Sequence, residues 1–151
     1  MTTRVNPLTH MDKIKPLIAY SMAAQQGIDP AIARLVEIRA SQINGCAVCL
    51  AMHTQEARQA GESEERVYLL DAFRESELYD DRERAALEWT EALTRLENGG
   101  TSYETYANLK AHFSEDEQVK LTLLIGAINA FNRLNVGFRV SPHVLKDAKA
   151  A

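Results

Sequence analysis

Residues 41–53 read SQINGCAVCLAMH and contain the two cysteines of the chain, Cys46 and Cys49, in one C-x-x-C motif. Asn44-Gly45 before the pair is typical of a helix end, and the residues from Cys46 onward favour a new helix. His53 follows Cys49 by four residues and Cys46 by seven. All three side chains are therefore predicted to share one face at the start of a helix.

This arrangement indicates thiol chemistry. Cysteines at i and i+3 are neighbours on a helix and can form a disulfide. Helix N-terminal amides stabilise a thiolate, and an imidazole one turn away can accept or relay its proton. The helix dipole favours Cys46 as the attacking thiol, whereas proximity to His53 favours Cys49. The residues alone leave that choice open.

A C-x-x-C motif also has other uses in proteins. A structural pair is one, and a zinc site is another. Zinc would use both cysteines and His53, without a second cysteine pair, and would need a fourth ligand from His10, His112 or His143. Covalent haem attachment requires histidine directly after the motif, and position 50 is leucine. A thioredoxin fold requires strands that the sequence does not predict.

The rest of the chain predicts an all-α fold. Hydrophobic residues make up 46% of the 151 residues, and only 7 glycines and 4 prolines interrupt them. We expect one domain over residues 1–151, with C-x-x-C at a helix N-terminus. Helical periodicity and capping signals predict helices from Met11 to about Gln26 (starting or kinking near Pro16), Pro30 to about Ile43, and Cys46 to about Ala60. They also predict helices after Ser63, after Asp80 up to Asn98-Gly99-Gly100, after Thr101, and from about Glu115 to Arg139.

Charge and hydropathy exclude some partners. The formal net charge is −4 and no basic run is present, so a nucleic-acid partner is not expected. No apolar stretch is long enough to span a membrane, and Met1 to Pro16 contain no apolar core of a secretory signal. We therefore expect a cytoplasmic protein that binds no membrane.

Three stretches resemble one family. Residues 41–53, residues 83–94 (ERAALEWTEALT) and residues 128–134 (INAFNRL) are similar to segments of the alkylhydroperoxidase D and carboxymuconolactone decarboxylase superfamily. The resemblance covers the chain from about Asp29 to Val136. It implies the all-α alkylhydroperoxidase D-like fold, in agreement with the independent helix prediction.

The resemblance also implies a thiol peroxidase. By position, Cys49 attacks a hydroperoxide and becomes a sulfenic acid, Cys46 condenses with it to form the disulfide, and His53 takes part in the proton relay. An external thiol or dithiol reductant then resets the pair. No cofactor or metal is expected. Single-domain members of the family commonly form trimers or hexamers, so we expect a homo-oligomer.

Two positions depart from the best-known members. They carry the relay carboxylate twelve residues before the first cysteine, where this chain has Arg34, and a histidine inside the motif, where this chain has Val48. Glu37, on nearly the same helical face as Arg34, is the predicted substitute. The alternative for Glu37 is a solvated or ion-paired glutamate.

The sequence leaves two other functions open. The superfamily includes a decarboxylase, and a related lactone-processing enzyme would not need the cysteine pair. A redox sensor or other thiol–disulfide protein would use the same disulfide without peroxide turnover.

Overall fold

The computed structural model describes residues 2–97 and 100–143, and within those ranges every regular element is helical. The helices are α1 (Met11–Gln25), α2 (Pro30–Asn44), α3 (Ala47–Gln59), α4 (Glu64–Leu69), α5 (Asp81–Arg95), α6 (Tyr103–His112) and α7 (Glu115–Gly137). Short 3-10 turns at Pro7–His10 and Leu70–Ala72 precede α1 and follow α4. The predicted all-α class is confirmed. In the described part of the chain, no helix is both long and apolar enough to cross a membrane.

Local signals set most of the helix ends. The Asp29 carboxylate accepts a hydrogen bond from the Ala31 N–H and starts α2. Asp80 with Glu83, and Ser114 with Glu117, form reciprocal capping boxes at the starts of α5 and α7. Each box satisfies two backbone donors that would otherwise lack partners.

Helix α1 begins at Met11 and continues through Pro16, so the alternative of a helix start near that proline is wrong. Proline removes a single N–H donor, and Pro16 lies on an exposed part of the helix, where solvent can satisfy the freed carbonyl.

Two later boundaries also differ. Ser102, and not Thr101, caps α6, because its hydroxyl accepts from the Thr105 N–H. Helix α7 ends at Gly137, two residues before the expected Arg139, which adopts a left-handed φ of 53°. Of the predicted stop after α5, Asn98 and Gly99 lie outside the described residues.

Helix α2 is the central helix, packed against α3, α5 and α7. Three of its buried side chains are polar: Glu37, Arg39 and Ser41. Arg39 donates to the buried Glu91 carboxylate of α5 through Nε at 2.8 Å and Nη2 at 2.6 Å. A buried charge requires such a partner, and the pair orients α2 so that its Glu37 face turns toward α1 and α3.

Candidate active site

Gly45 ends α2 and positions the cysteine pair. Its φ of +65° lies in the left-handed region, which favours glycine, and its N–H donates to the Gln42 carbonyl at 3.2 Å. The next N–H, from Cys46, donates to the Ser41 carbonyl at 3.0 Å. This helix termination reverses the chain and places Cys46 at the N-cap of α3.

Cys46 and Cys49 form a disulfide, with Cα atoms 5.3 Å apart. Both residues are buried, and they pack with Val48 and Val140 in a small apolar cluster, against which Phe138 also lies. The C-x-x-C motif therefore lies at a helix N-terminus as predicted.

A polar network joins the end of α2 to α7. The Asn44 amide donates to Asn129 Oδ1 at 3.0 Å and to Asn132 Oδ1 at 2.9 Å. Asn132 Nδ2 donates to Ser41 Oγ at 3.1 Å, and that hydroxyl donates to the Glu37 carbonyl at 2.7 Å. Because these buried groups satisfy one another, the network holds the segment before Cys46 against α7.

A cavity of about 650 Å³ adjoins the cysteine pair. Its walls come mainly from apolar side chains of α1, α3 and α7, and its size falls within the range of small-molecule sites. Cys49, His53 and Glu37 line the cavity, whereas Cys46 is absent from its lining.

His53 is buried between two carboxylates. Its Nδ1 lies 3.5 Å from Glu37 Oε2 and 3.0 Å from Glu56 Oε2. Carboxylates on the Nδ1 side hold the ring proton at Nδ1 and leave Nε2 as the basic nitrogen. The sequence prediction did not include Glu56, although its i,i+3 spacing from His53 was a visible signal.

Glu37 is only 5% exposed, which rules out the solvated alternative. Burial raises the pKa of the Glu37 carboxyl, opposed by the nearby His53 and by a hydrogen bond to Gln25. In that bond, Gln25 Nε2 of α1 donates to Glu37 Oε1 at 2.7 Å. A raised pKa brings a carboxyl nearer to neutral pH, where proton exchange with an imidazole is easier.

Asn135 of α7 is a further member of the site. Its Nδ2 donates to Cys49 Sγ at 3.3 Å, and its side chain lines the cavity. Nothing in the sequence pairs these residues, which are 86 positions apart. The structure thus adds a neutral hydrogen-bond donor to the cysteine sulfur that faces the cavity.

Arg34 also lines the cavity, one turn before Glu37 on α2. Its Nε is buried and has no hydrogen-bond partner within the described residues. None of the ion pairs in that part of the chain involves Arg34.

The described ranges also contain no group of three or more His, Cys, Asp or Glu side chains placed to hold a metal ion.

This chain is similar in sequence to a known protein family and to a bacterial protein. The family model for the carboxymuconolactone decarboxylase family matches residues 12–92. The uncharacterised protein YdfG of Bacillus subtilis is 40% identical over 112 residues, which cover 74% of this chain and 76% of YdfG.

Solved structures share the fold. A protein of unknown function from Agrobacterium tumefaciens, named as a candidate antioxidant defence protein AhpD, superposes with a TM-score of 0.88 at 40% identity, over 93% of this chain and 97% of its own. The debrominase Bmp8 superposes with a TM-score of 0.70 at 21% identity, over 79% of this chain and 63% of its own. At that identity the likeness to Bmp8 concerns the fold alone.

Proposed function

The chain belongs to the carboxymuconolactone decarboxylase family, and from that premise we propose that it is a thiol peroxidase that reduces hydroperoxides through a reversible Cys46–Cys49 disulfide. One observation carries the proposal: the bonded cysteine pair adjoins an apolar cavity that Cys49 lines together with His53. A redox-active sulfur beside space for an organic molecule is what hydroperoxide reduction requires.

The reaction has three balanced steps. The Cys49 thiolate attacks the terminal oxygen of ROOH, the O–O bond breaks, and the alkoxide takes a proton to leave as ROH with a sulfenic acid on Cys49. The Cys46 thiol then attacks that sulfur and releases water as the disulfide forms. An external dithiol donates two electrons and two protons, which restores both thiols and leaves the reductant oxidised.

Three contacts support Cys49 as the attacking residue. It faces the cavity, it accepts a hydrogen bond from Asn135, and it lies one turn from His53. The helix dipole favours a thiolate on Cys46 over one on Cys49, because Cys46 is the N-cap residue. A hydroperoxide in the cavity, however, meets Cys49 first, so access outweighs the modest effect of the dipole.

His53 is assigned the proton relay. With Nδ1 turned to the two carboxylates, Nε2 is available to take the Cys49 proton and return it to the departing alkoxide. Glu37 and Glu56 are positioning residues that orient the ring.

Trapping of thiols tests the proposal. Reduced protein is mixed with one equivalent of cumene hydroperoxide, quenched with an alkylating agent and analysed by mass spectrometry. Wild-type protein is expected to lose both thiols together, Cys46→Ser to keep a sulfenic acid on Cys49, and Cys49→Ser to consume no peroxide. Cys46 carrying the sulfenic acid in Cys49→Ser, with Cys46→Ser inert, would reverse the two roles.

Steady turnover separates this function from its alternatives. A peroxidase consumes many equivalents of hydroperoxide rapidly when dithiothreitol is supplied, whereas a redox sensor consumes hydroperoxide slowly under the same conditions. Activity on a lactone that survives replacement of both cysteines by serine would point to the decarboxylase type of chemistry instead.

We also propose that the protein is a homo-oligomer, a trimer or hexamer. Several large apolar side chains are exposed in the single chain, among them Met22 at 63% and Val119 at 59%. Subunit association would remove such surface from water. Light scattering at micromolar concentration tests this, and a monomer would refute it.

A further inference from the structure

We propose that the cavity takes hydroperoxides that carry a carboxylate on an apolar chain, of the kind formed from fatty acids, and that Arg34 binds that carboxylate. The inference rests on the proposed function and specifies its substrate class. Its basis is a cationic side chain lining an otherwise mainly apolar cavity, with a buried donor that the described part of the chain leaves without a partner.

The apolar walls suit a hydrocarbon chain. Five apolar side chains of α1 and α7 line the cavity: Ile14, Ile18, Ile128, Phe131 and Leu134. Removing a chain of methylene groups from water into such surroundings is favourable, and the gain grows with each group buried. A small hydroperoxide would leave most of these walls uncovered.

The carboxylates near Arg34 contact other side chains, so its guanidinium is available to bind a ligand. Glu37 Oε1 accepts a hydrogen bond from Gln25, and Glu37 Oε2 lies beside the His53 ring. The Glu56 carboxylate contacts the same ring nitrogen. Arg34 forms no ion pair with any of them within the described residues, although its charge does favour the ionised form of Glu37.

A ligand carboxylate would satisfy this site. A partly buried guanidinium with an unmet donor carries a desolvation penalty, and a carboxylate is the anion that matches its planar fork with two parallel hydrogen bonds. A neutral alkyl hydroperoxide offers nothing comparable.

The order along α2 relates the two ends of the substrate. Arg34 precedes Glu37 by three residues, which is about 4.5 Å along the helix axis, and Glu37 lies against His53 near Cys49. A substrate that reaches both Arg34 and Cys49 needs its carboxylate and its peroxide group at separate positions. A hydroperoxide borne on the hydrocarbon chain of a fatty acid has this arrangement.

A matched pair of substrates tests the inference. Linoleic acid hydroperoxide and its methyl ester differ only at the head group, which is a charged carboxylate in the acid and a neutral ester in the other. Each is mixed with reduced protein to measure the second-order rate constant of thiol oxidation. Wild-type protein is expected to prefer the acid. In Arg34→Gln the acid-to-ester ratio should fall by at least about tenfold, because a hydrogen-bonded ion pair is lost.

Two further variants sharpen the comparison. Arg34→Lys keeps the positive charge but loses the planar guanidinium that can form two parallel hydrogen bonds. It should therefore retain part of the preference for the acid. Arg58→Gln removes an exposed arginine that pairs with Glu64 away from the cavity, and it should keep the full wild-type ratio. Equal wild-type rates with acid and ester, or an unchanged ratio in Arg34→Gln, would overturn the inference. If Arg34→Gln fails to fold, the wild-type ratio decides alone.

A binding measurement separates this inference from the peroxidase proposal. Laurate and methyl laurate are titrated into the disulfide form of wild-type protein and Arg34→Gln by calorimetry. Tighter binding of laurate that depends on Arg34 supports the carboxylate site even if no hydroperoxide oxidises the thiols. Rapid thiol oxidation with no binding preference for laurate would retain the peroxidase and reject the carboxylate site.

Discussion

Asn135 Nδ2 lies 3.3 Å from Cys49 Sγ and joins the last helix to the cysteine pair. The contact gives the sulfur that faces the cavity a donor of its own, whereas Cys46 relies on its place at the helix N-terminus. A donor aimed at sulfur stabilises the charge of a thiolate once the disulfide is reduced.

We therefore expect Asn135→Leu, in a Cys46→Ser background, to slow the reaction of Cys49 with iodoacetamide by about tenfold, as the loss of one hydrogen bond to a charged group predicts. Leucine keeps the side-chain volume and removes the donor. Asn135→Gln keeps an amide and serves as the matched control. Alkylation at the parent rate in Asn135→Leu would show that the contact does not act on reactivity.

Substitutions of His53, Glu37 and Glu56 should slow thiol oxidation to different extents. His53→Ala should lower the rate of thiol oxidation by at least about tenfold with the helical circular dichroism unchanged. Glu37→Gln should lower it by less, and Glu56→Gln by less again, because the buried carboxylate acts in a lower dielectric than the half-exposed one.

Chemical rescue distinguishes a relay from a packing role. Free imidazole added to His53→Ala should restore part of the lost rate and should leave the glutamine variants unaffected. Wild-type rates in all three variants would remove the relay from the mechanism.

The pH dependence of stability should report the burial of Glu37. Burial raises the pKa of this carboxyl above its ordinary value of 4.5, so the folded state binds the proton more tightly than the unfolded state. Its contribution to the free energy of unfolding is largest below 4.5 and declines as the pH rises through the folded-state pKa.

Glu37→Gln cannot titrate, so its free energy of unfolding relative to wild type should increase as the pH rises from 4.5 toward neutrality. Urea denaturation of both proteins across that interval measures the difference. The exposed Glu65→Gln controls for the loss of one carboxylate. A Glu37→Gln difference that stays level or shrinks with rising pH would contradict the expected sign.

Any side chain at position 45 should destabilise the protein, because the backbone of Gly45 has a left-handed φ. Gly45→Ala is expected to lower the free energy of unfolding by about 1–2 kcal/mol, the cost of left-handed φ for a residue with Cβ. A Cβ at this position meets no atom within 4 Å, so crowding does not contribute.

Gly45→Asn should cost less, because asparagine tolerates this conformation better. Gly137→Ala, at the end of α7 with equally open surroundings, is the control and should not destabilise the protein. Thermal and urea unfolding measure all three, and equal stability of Gly45→Ala and wild type would contradict the argument.

Interactions over three or four residues explain why much of the fold could be predicted. Several capping residues act only on the adjacent helical turn, so the sequence alone predicts them. They are Asp29, Gly45, Asp80 and Ser114. The same holds for C-x-x-C at the start of α3. The predicted helix start near Pro16 and the predicted cap at Thr101 were wrong because exposure or a neighbouring cap decided between local alternatives.

The sequence by itself determined the helices, the cysteine pair and the histidine on the same helical face, because each depends on helix periodicity. Tertiary packing alone decided that Asn135 meets Cys49, that Glu37 of α2 lies beside Nδ1 of His53, and that Arg34 enters an apolar cavity. The physical reason is that these relationships join α1, α2, α3 and α7 across the core. Only the packing of α2 against its neighbours brings together residues that no local period relates.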